Sequence, residues 1–320
     1  MSTLEGLSLV FKSVIFWYIL LGNLKRRQRM KRKPLEYLSE EEIMELLDEA
    51  DARAFAEVVK ARREIAAAAR DATAAIGAGG RLIYVGAGTS GRLGALDASE
   101  CPPTFSANPR QVIAVMAGGK KAFHRAVEGA EDDTSDGAAS IVKLDVGPRD
   151  MVMGITASGR TPYVIAALDE AHMRGAAVWL LSCSGKKGLP VAAANYKTIA
   201  LDTGDEVIRG SSRLAAGTAT KLVLNRITTA AFIKLGKVYD SLMVDVMPTN
   251  KKLVKRAAGI IAEVAGCTAD EALESLRESG YKTKTAALMR AKCLTRKEAE
   301  ALLREKGGFL RKALEEGKNA

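Results

Sequence analysis

The apolar run Leu82-Ile83-Tyr84-Val85 breaks directly into Gly86-Ala87-Gly88-Thr89-Ser90-Gly91, and this junction constrains the fold more than any other part of the chain. A short continuous apolar run bounded by glycine reads as a strand buried on both faces of a parallel sheet. Glycines at 86, 88 and 91 let the backbone turn sharply and approach a ligand closely. A helix that follows at once points its first amides at that ligand, which makes a place for an anion. Glu100 lies a few turns along the same helix. The junction therefore predicts a phosphate cradle beside an acid.

The spacing Gly86-x-Gly88-x-x-Gly91 also satisfies the dinucleotide fingerprint, which needs a carboxylate closing the second strand to hold ribose. Here the second apolar run, Val112-Ile113-Ala114-Val115-Met116, is followed by Ala117-Gly118-Gly119. Thr89 and Ser90 suit a small phosphate ester better than a pyrophosphate. Nicotinamide and flavin binding are set aside, and no cofactor is expected.

Strand patterns fall at 82–85, 112–116, 151–155, 176–182 and 197–201, with helical patterns between them, notably at 121–130 and 162–174. Such alternation predicts an α/β fold, a three-layer doubly wound parallel sheet whose ligands bind at the carboxyl ends of the strands. Ser39-x-x-Glu42 is a capping box that opens a helical stretch reaching Gly77-Ala78-Gly79-Gly80, and a further apolar helix runs from Gly217 to Gly236. Thr268-x-x-Glu271 and Thr295-x-x-Glu298 mark further helix starts, and Gly307-Gly308 precedes a last one. The expected division is a basic leader over 1–33, a sheet domain with amino-terminal helices over 34–264, and a small carboxyl-terminal helical appendage over 265–320.

The net charge of +10 at pH 7 hints at nucleic acid until its distribution is read. Residues 1–33 carry eight Lys and Arg against Glu5, a net +7, which leaves +3 for the rest of the chain. No nucleic-acid partner is expected. The apolar run from Leu9 to Leu21 is shorter than the ~20 residues a membrane span needs. Its basic residues follow it, the reverse of a signal peptide. No stable membrane association is expected, and the leader reads as an upstream extension with Met30 as the working start. Cys101, Cys183, Cys267 and Cys293 fit no zinc spacing and no dense disulfide framework, which suits a cytoplasmic protein. With His124 and His172 as the only histidines, no metal site is expected.

Three loops repeat one theme. The first holds Gly88, Thr89 and Ser90. The second is Thr156-Ala157-Ser158-Gly159-Arg160-Thr161-Pro162, with Thr161 at a cap position and Pro162 in the first helical turn. The third is Gly210-Ser211-Ser212-Arg213, ahead of Ala216-Gly217-Thr218. One Ser-rich helix start is an ordinary cap. Three on the same sheet edge predict hydroxyls, amides and helix dipoles converging on an anion. Arg160 and Arg213 suit a carboxylate or phosphate, and equally a surface or interface charge.

Thr156-x-Ser158-Gly159-x-Thr161 resembles the phosphosugar-binding loop of sugar isomerase (SIS) domains. More specifically, the 82–105 segment, Ala126-Val127-Glu128-Gly129-Ala130-Glu131-Asp132, Gly210-Ser211-Ser212-Arg213, Lys221-Leu222-Val223-Leu224-Asn225 and Leu242-Met243-Val244-Asp245-Val246 resemble the N-acetylmuramic acid 6-phosphate etherases. The likeness runs over roughly residues 40–318.

It implies a homodimer without metal or redox cofactor that acts on a phosphosugar. It also implies elimination of lactate across C2–C3 of the open-chain sugar, followed by addition of water. The family's acidic pair falls on Glu100 and Glu131, with Glu128 open as an alternative to the latter. Departures from the family pattern are Ala215 for a lysine, Arg209 for a small hydroxyl residue, Ser184 for an asparagine and Thr156 for an alanine. The customary amino-terminal Thr-Glu-x-x-Asn segment is absent. A non-catalytic phosphosugar-binding regulator, an aldose–ketose isomerase and a sugar-responsive transcription factor remain as alternatives on the same fold.

Overall fold

A computed structural model describes residues 33–316, apart from Pro190, Met247 and Thr249. The leader, apart from Lys33, and its apolar run lie outside the described residues. Ser39 caps α1 (Glu40–Lys60) through the reciprocal box with Glu42. A break at Ala61 leads into α2 (Arg62–Gly77), which covers the sheet with an alanine-rich face. Then come β1 (Leu82–Gly86), α3 (Gly88–Phe105), β2 (Val112–Met116), α4 (Thr134–Lys143), β3 (Met151–Thr156), α5 (Pro162–Met173), β4 (Ala177–Ser182), β5 (Lys197–Ala200) and α6 (Ala215–Lys234). Among the described residues no helix is long and apolar enough to cross a membrane.

The five strands are parallel, in the order β2-β1-β3-β4-β5. Side chains alternate across the sheet as strand geometry requires. Leu82, Tyr84, Met151, Met153, Trp179 and Leu181 enter a core shared with α1, α2, α3 and α6. Ile83, Val85, Val152, Val178 and Leu180 face the opposite way, onto α4 and α5. The layers are therefore three, helix on sheet on helix. From β1 the chain moves outward to β2 and then returns to the other side of β1 for β3. That reversal is the switch point where ligands of such sheets sit, and the loops after β1 and β3 flank it.

The helix expected over 121–130 does not form. In its place stand two short 3₁₀ turns, Gly119–Phe123 and Ala130–Asp132. Arg92 takes the carbonyls of Ala122 (2.7 Å) and Phe123 (3.2 Å), which an α-helix would have used for its own ladder. Gly118, Gly119 and Gly129 adopt left-handed φ, which interrupts the segment at both ends.

After α6 the chain builds α7 (Lys251–Ala265), α8 (Ala269–Glu278), α9 (Thr283–Lys292), α10 (Arg296–Glu305) and α11 (Leu310–Glu315). Both capping boxes read from the sequence are in place, at Thr268 with Glu271 and at Thr295 with Glu298. These helices share a core of their own, to which Val244, Val246, Ile260, Ile261, Leu276, Leu288 and Leu310 contribute.

Candidate functional site

The first loop works because its three glycines permit a close contact and a left-handed turn. A Cβ on Gly86 would lie 2.7 Å from the Gly91 amide nitrogen, and one on Gly91 would lie 2.8 Å from the Gly86 carbonyl oxygen. Strand end and first helical turn therefore touch backbone to backbone. Gly88 adopts φ +52°, which L side chains disfavour. The cap position of α3, Ala87, supplies no side-chain hydrogen bond, so the first amides of the helix are left for another acceptor. Thr89 and Ser90 stand in that turn, half-buried.

The second loop is internally wired. Thr156 is buried, and its Oγ1 meets Thr161 Oγ1 at 2.7 Å and Ser158 Oγ at 3.3 Å. Thr161 occupies the cap position of α5 as expected, but its hydroxyl makes no cap hydrogen bond and meets the buried Thr156 instead, since a buried polar atom must find a partner. Pro162 does occupy the first turn of α5. Ser158 Oγ accepts from the Arg160 amide at 3.2 Å. Gly159 (φ +76°) passes so near β4 that a Cβ would sit 3.0 Å from Ser182 Oγ. Ser184 donates to the Ser158 carbonyl at 2.9 Å, and Arg160 Nε donates to the Gly188 carbonyl at 2.8 Å. The loop is thus braced against the segment after β4, with Ser158 and Arg160 exposed.

The third loop differs from its prediction. The first amides of α6, on Ala215 and Ala216, both donate at 3.0 Å to the Glu206 carboxylate. This helix start carries its own anion and offers none of these amides to a ligand. Ser211 and Ser212 are half-buried in the preceding turn, and Arg213 is exposed with no ion pair among the described residues. Ala215 is buried and bonded to Glu206 through its amide. Glu206 was not singled out from the sequence. Its only signal there is an acid nine residues ahead of a helix start, too far for a local cap.

Glu100 is exposed on α3, and Glu131 is exposed in the 3₁₀ turn Ala130–Asp132. Ten residues separate Ser90 from Glu100 on one helix, an axial distance of roughly 15 Å. Within one chain α3 therefore holds its hydroxyls and its carboxylate well apart.

Between them lies a buried node. Asp97, 4 % exposed, accepts from Tyr84 Oη (2.9 Å), Asn225 Nδ2 (2.7 Å) and Thr228 Oγ1 (3.2 Å). Burial raises its carboxyl above the ordinary value, while those three donors pull it back. The node pins α3 to β1 and α6 just ahead of Glu100. Burial likewise pushes the neighbouring Cys101 thiol up to about 12, so it is no nucleophile at neutral pH. Among the described residues no three His, Cys, Asp or Glu side chains gather as a metal site.

Residues 57–172 match the family model of the glucokinase regulatory protein N-terminal SIS domain. The chain is 47% identical over 282 residues to N-acetylmuramic acid 6-phosphate etherase 2 of Vibrio cholerae serotype O1, covering 88% of this chain and 91% of that relative. It is 44% identical over 282 residues to the N-acetylmuramic acid 6-phosphate etherase of Cutibacterium acnes, covering 88% and 92%. The etherase of Halalkalibacterium halodurans is 46% identical over 286 residues, covering 89% and 95%.

Proposed function

The chain belongs to the N-acetylmuramic acid 6-phosphate etherases, and from that premise we propose how its own residues divide the work. It converts N-acetylmuramic acid 6-phosphate to N-acetylglucosamine 6-phosphate and lactate. The observation that carries this is identity of 43–47% over 88–92% of the chain to several etherases.

In the open-chain sugar a base removes the C2 proton, which the C1 aldehyde acidifies. The C3–O bond to lactate breaks, an acid protonates the departing oxygen, and a C2=C3 double bond conjugated with the aldehyde remains. Water then adds its oxygen to C3, and a proton returns to C2. The sum is ether plus water giving alcohol plus lactate. Glu100 protonates the leaving oxygen and, once ionised, activates the water. Glu131 serves the C2 proton.

Gly88, Thr89, Ser90, Thr156, Ser158, Gly159, Arg160, Thr161, Ser211, Ser212 and Arg213 hold the substrate. Two helix starts lacking a side-chain cap, those of α3 and α5, flank the switch between β1 and β3 and support a phosphate there. Free thiols at all four cysteines fit a cytoplasmic site of action.

The working unit is a homodimer. If Thr89 and Ser90 grip the phosphate, the roughly 15 Å to Glu100 on the same helix exceeds the reach from phosphate to C3 of one substrate. A second copy of α3 supplies the missing carboxylate. Co-expression of Glu100→Gln with Thr89→Ala/Ser90→Ala subunits tests this, with D-lactate release as the readout. Each variant alone is expected to be nearly inactive, and random mixing restores about a quarter of wild-type activity through one intact site per mixed dimer. A mixture as inactive as its parents contradicts the shared site, and a wild-type protein that releases no lactate contradicts the function itself.

A further inference from the structure

We propose that Lys284 is a positioning residue for Glu100, acting through Asp245 and Ser106 on the carboxyl end of α3. The proposal rests on Glu100 being a reacting carboxylate.

The need for such a device is written into α3. Pro102 and Pro103 follow Glu100 almost at once, inside the helix. Neither has an N–H, so the carbonyls of Ala98 and Ser99 lose the two rungs that would span Glu100. The helix cannot by its own ladder hold its last turn in line, and the position of Glu100 depends on what grips the end. Two contacts do so. Phe105 stacks on Phe232 of α6, with centroids 4.7 Å apart and planes 18° from parallel. Ser106, the left-handed residue that ends the helix (φ +48°), donates its hydroxyl to the Asp245 carbonyl.

Asp245 is in turn held from the carboxyl-terminal helices. Its Oδ2 accepts from Lys284 Nζ at 2.9 Å and from Lys237 Nζ at 3.0 Å. Lys284, on α9, is 8 % exposed and also donates to the carbonyls of Gly236 (2.8 Å) and Gly308 (2.9 Å). Three acceptors thus meet the three protons of one buried ammonium. Its neighbour Thr283 donates to the Val246 carbonyl at 2.9 Å, fixing the other side of Asp245.

A buried charge is costly unless fully paired, and this one joins four pieces of chain: the end of α6, the 242–246 segment, α9 and the turn before α11. The Leu242–Val246 motif, which carries no substrate chemistry, has a role on this account. Glu100 sits between the Asp97 node three residues ahead and the Ser106 anchor six residues behind.

The test compares Lys284→Met, Ser106→Ala and Glu100→Gln by kinetics of D-lactate release, at a temperature well below each variant's melting point. Since a small misplacement of a reacting group costs up to about 10²-fold, Lys284→Met is expected to lower kcat by roughly 10- to 100-fold and Ser106→Ala by roughly 3- to 10-fold. KM stays within about threefold, because the phosphate loops are untouched. The limb of the kcat pH profile that Glu100→Gln abolishes is expected to move in both positioning variants. If Lys284→Met fails to fold, Ser106→Ala decides alone, since it removes one half-buried hydroxyl. Folded variants that keep kcat within twofold while melting earlier make the contact merely structural and overturn the proposal. Full activity in Glu100→Gln would instead remove the reading on which it rests, and that result is visible independently of the other two.

Discussion

Glu100→Gln is expected to lower kcat for lactate release by roughly 10²- to 10⁴-fold, the range that loss of a general acid–base group produces. The amide keeps the shape of the side chain and can neither give nor take the required proton. Because Glu100 is exposed on α3, its replacement disturbs no packed core, and the melting temperature is expected to stay near that of the wild type. KM is expected to change little, since the loops that hold the phosphate are untouched. Loss of kcat with an unchanged fold and near-normal KM is the signature of a group used in the transition state. A variant that turns over normally excludes Glu100 from proton transfer.

The second large effect is on stability, at the opposite edge of the sheet. Asp150 sits just before β3, 7 % exposed at its side chain, and accepts from the Arg81 amide (2.9 Å), Arg81 Nε (3.0 Å), Arg81 Nη2 (2.6 Å) and the Gly147 amide (3.1 Å). Arg81 also donates to the carbonyls of Leu144 and Asp145, so one ion pair closes the entrances to both β1 and β3.

Asp150→Ala strands a guanidinium and two backbone amides. The expected cost is about 3 kcal/mol, since breaking a buried pair leaves an uncompensated charge and Arg81 keeps partial access to water. In a thermal melt this is a fall of roughly 5–10 °C, with Asp150→Asn losing less because one acceptor oxygen survives.

Burial alone raises the Asp150 carboxyl, but Arg81 and the Gly147 amide outweigh it and hold the group below its ordinary value. A depressed folded pKa means the unfolded chain binds the proton first. The contribution is therefore complete above about pH 4 and fades as pH falls through the folded value. The gap between wild type and Asp150→Ala should be full at pH 7 and close at the acid end. A gap that widens on acidification contradicts this account.

What could be read from the sequence follows a simple physical division. Elements set by near neighbours were legible: the apolar runs at 82–85 and 151–155 lie in strands, and the boxes at Ser39, Thr268 and Thr295 cap helices, because period and capping act over a few residues. The three-glycine junction was legible for the same reason. What escaped was set by partners distant in sequence. Asp97 meets Asn225 and Thr228 across more than a hundred residues, and Lys284 meets Asp245 across 39. Lys284 lies in a stretch of α9 buried from Thr283 to Met289, so no polar face announces it.

Residues 121–130 carry helical spacing, yet Arg92 claims their carbonyls from another element. Glu206 filling the start of α6 is a further case, since nothing local marks a carboxylate that folds back onto a helix nine residues on.

The most direct measurement runs the reaction on N-acetylmuramic acid 6-phosphate in ¹⁸O-labelled D₂O and locates the labels by mass spectrometry. Elimination followed by hydration places solvent oxygen on C3 and deuterium on C2 of N-acetylglucosamine 6-phosphate, with the ether oxygen leaving in lactate. Solvent oxygen found in lactate, with C2 unlabelled, means cleavage by displacement at the lactyl carbon, and the roles assigned to Glu100 and Glu131 fall with it.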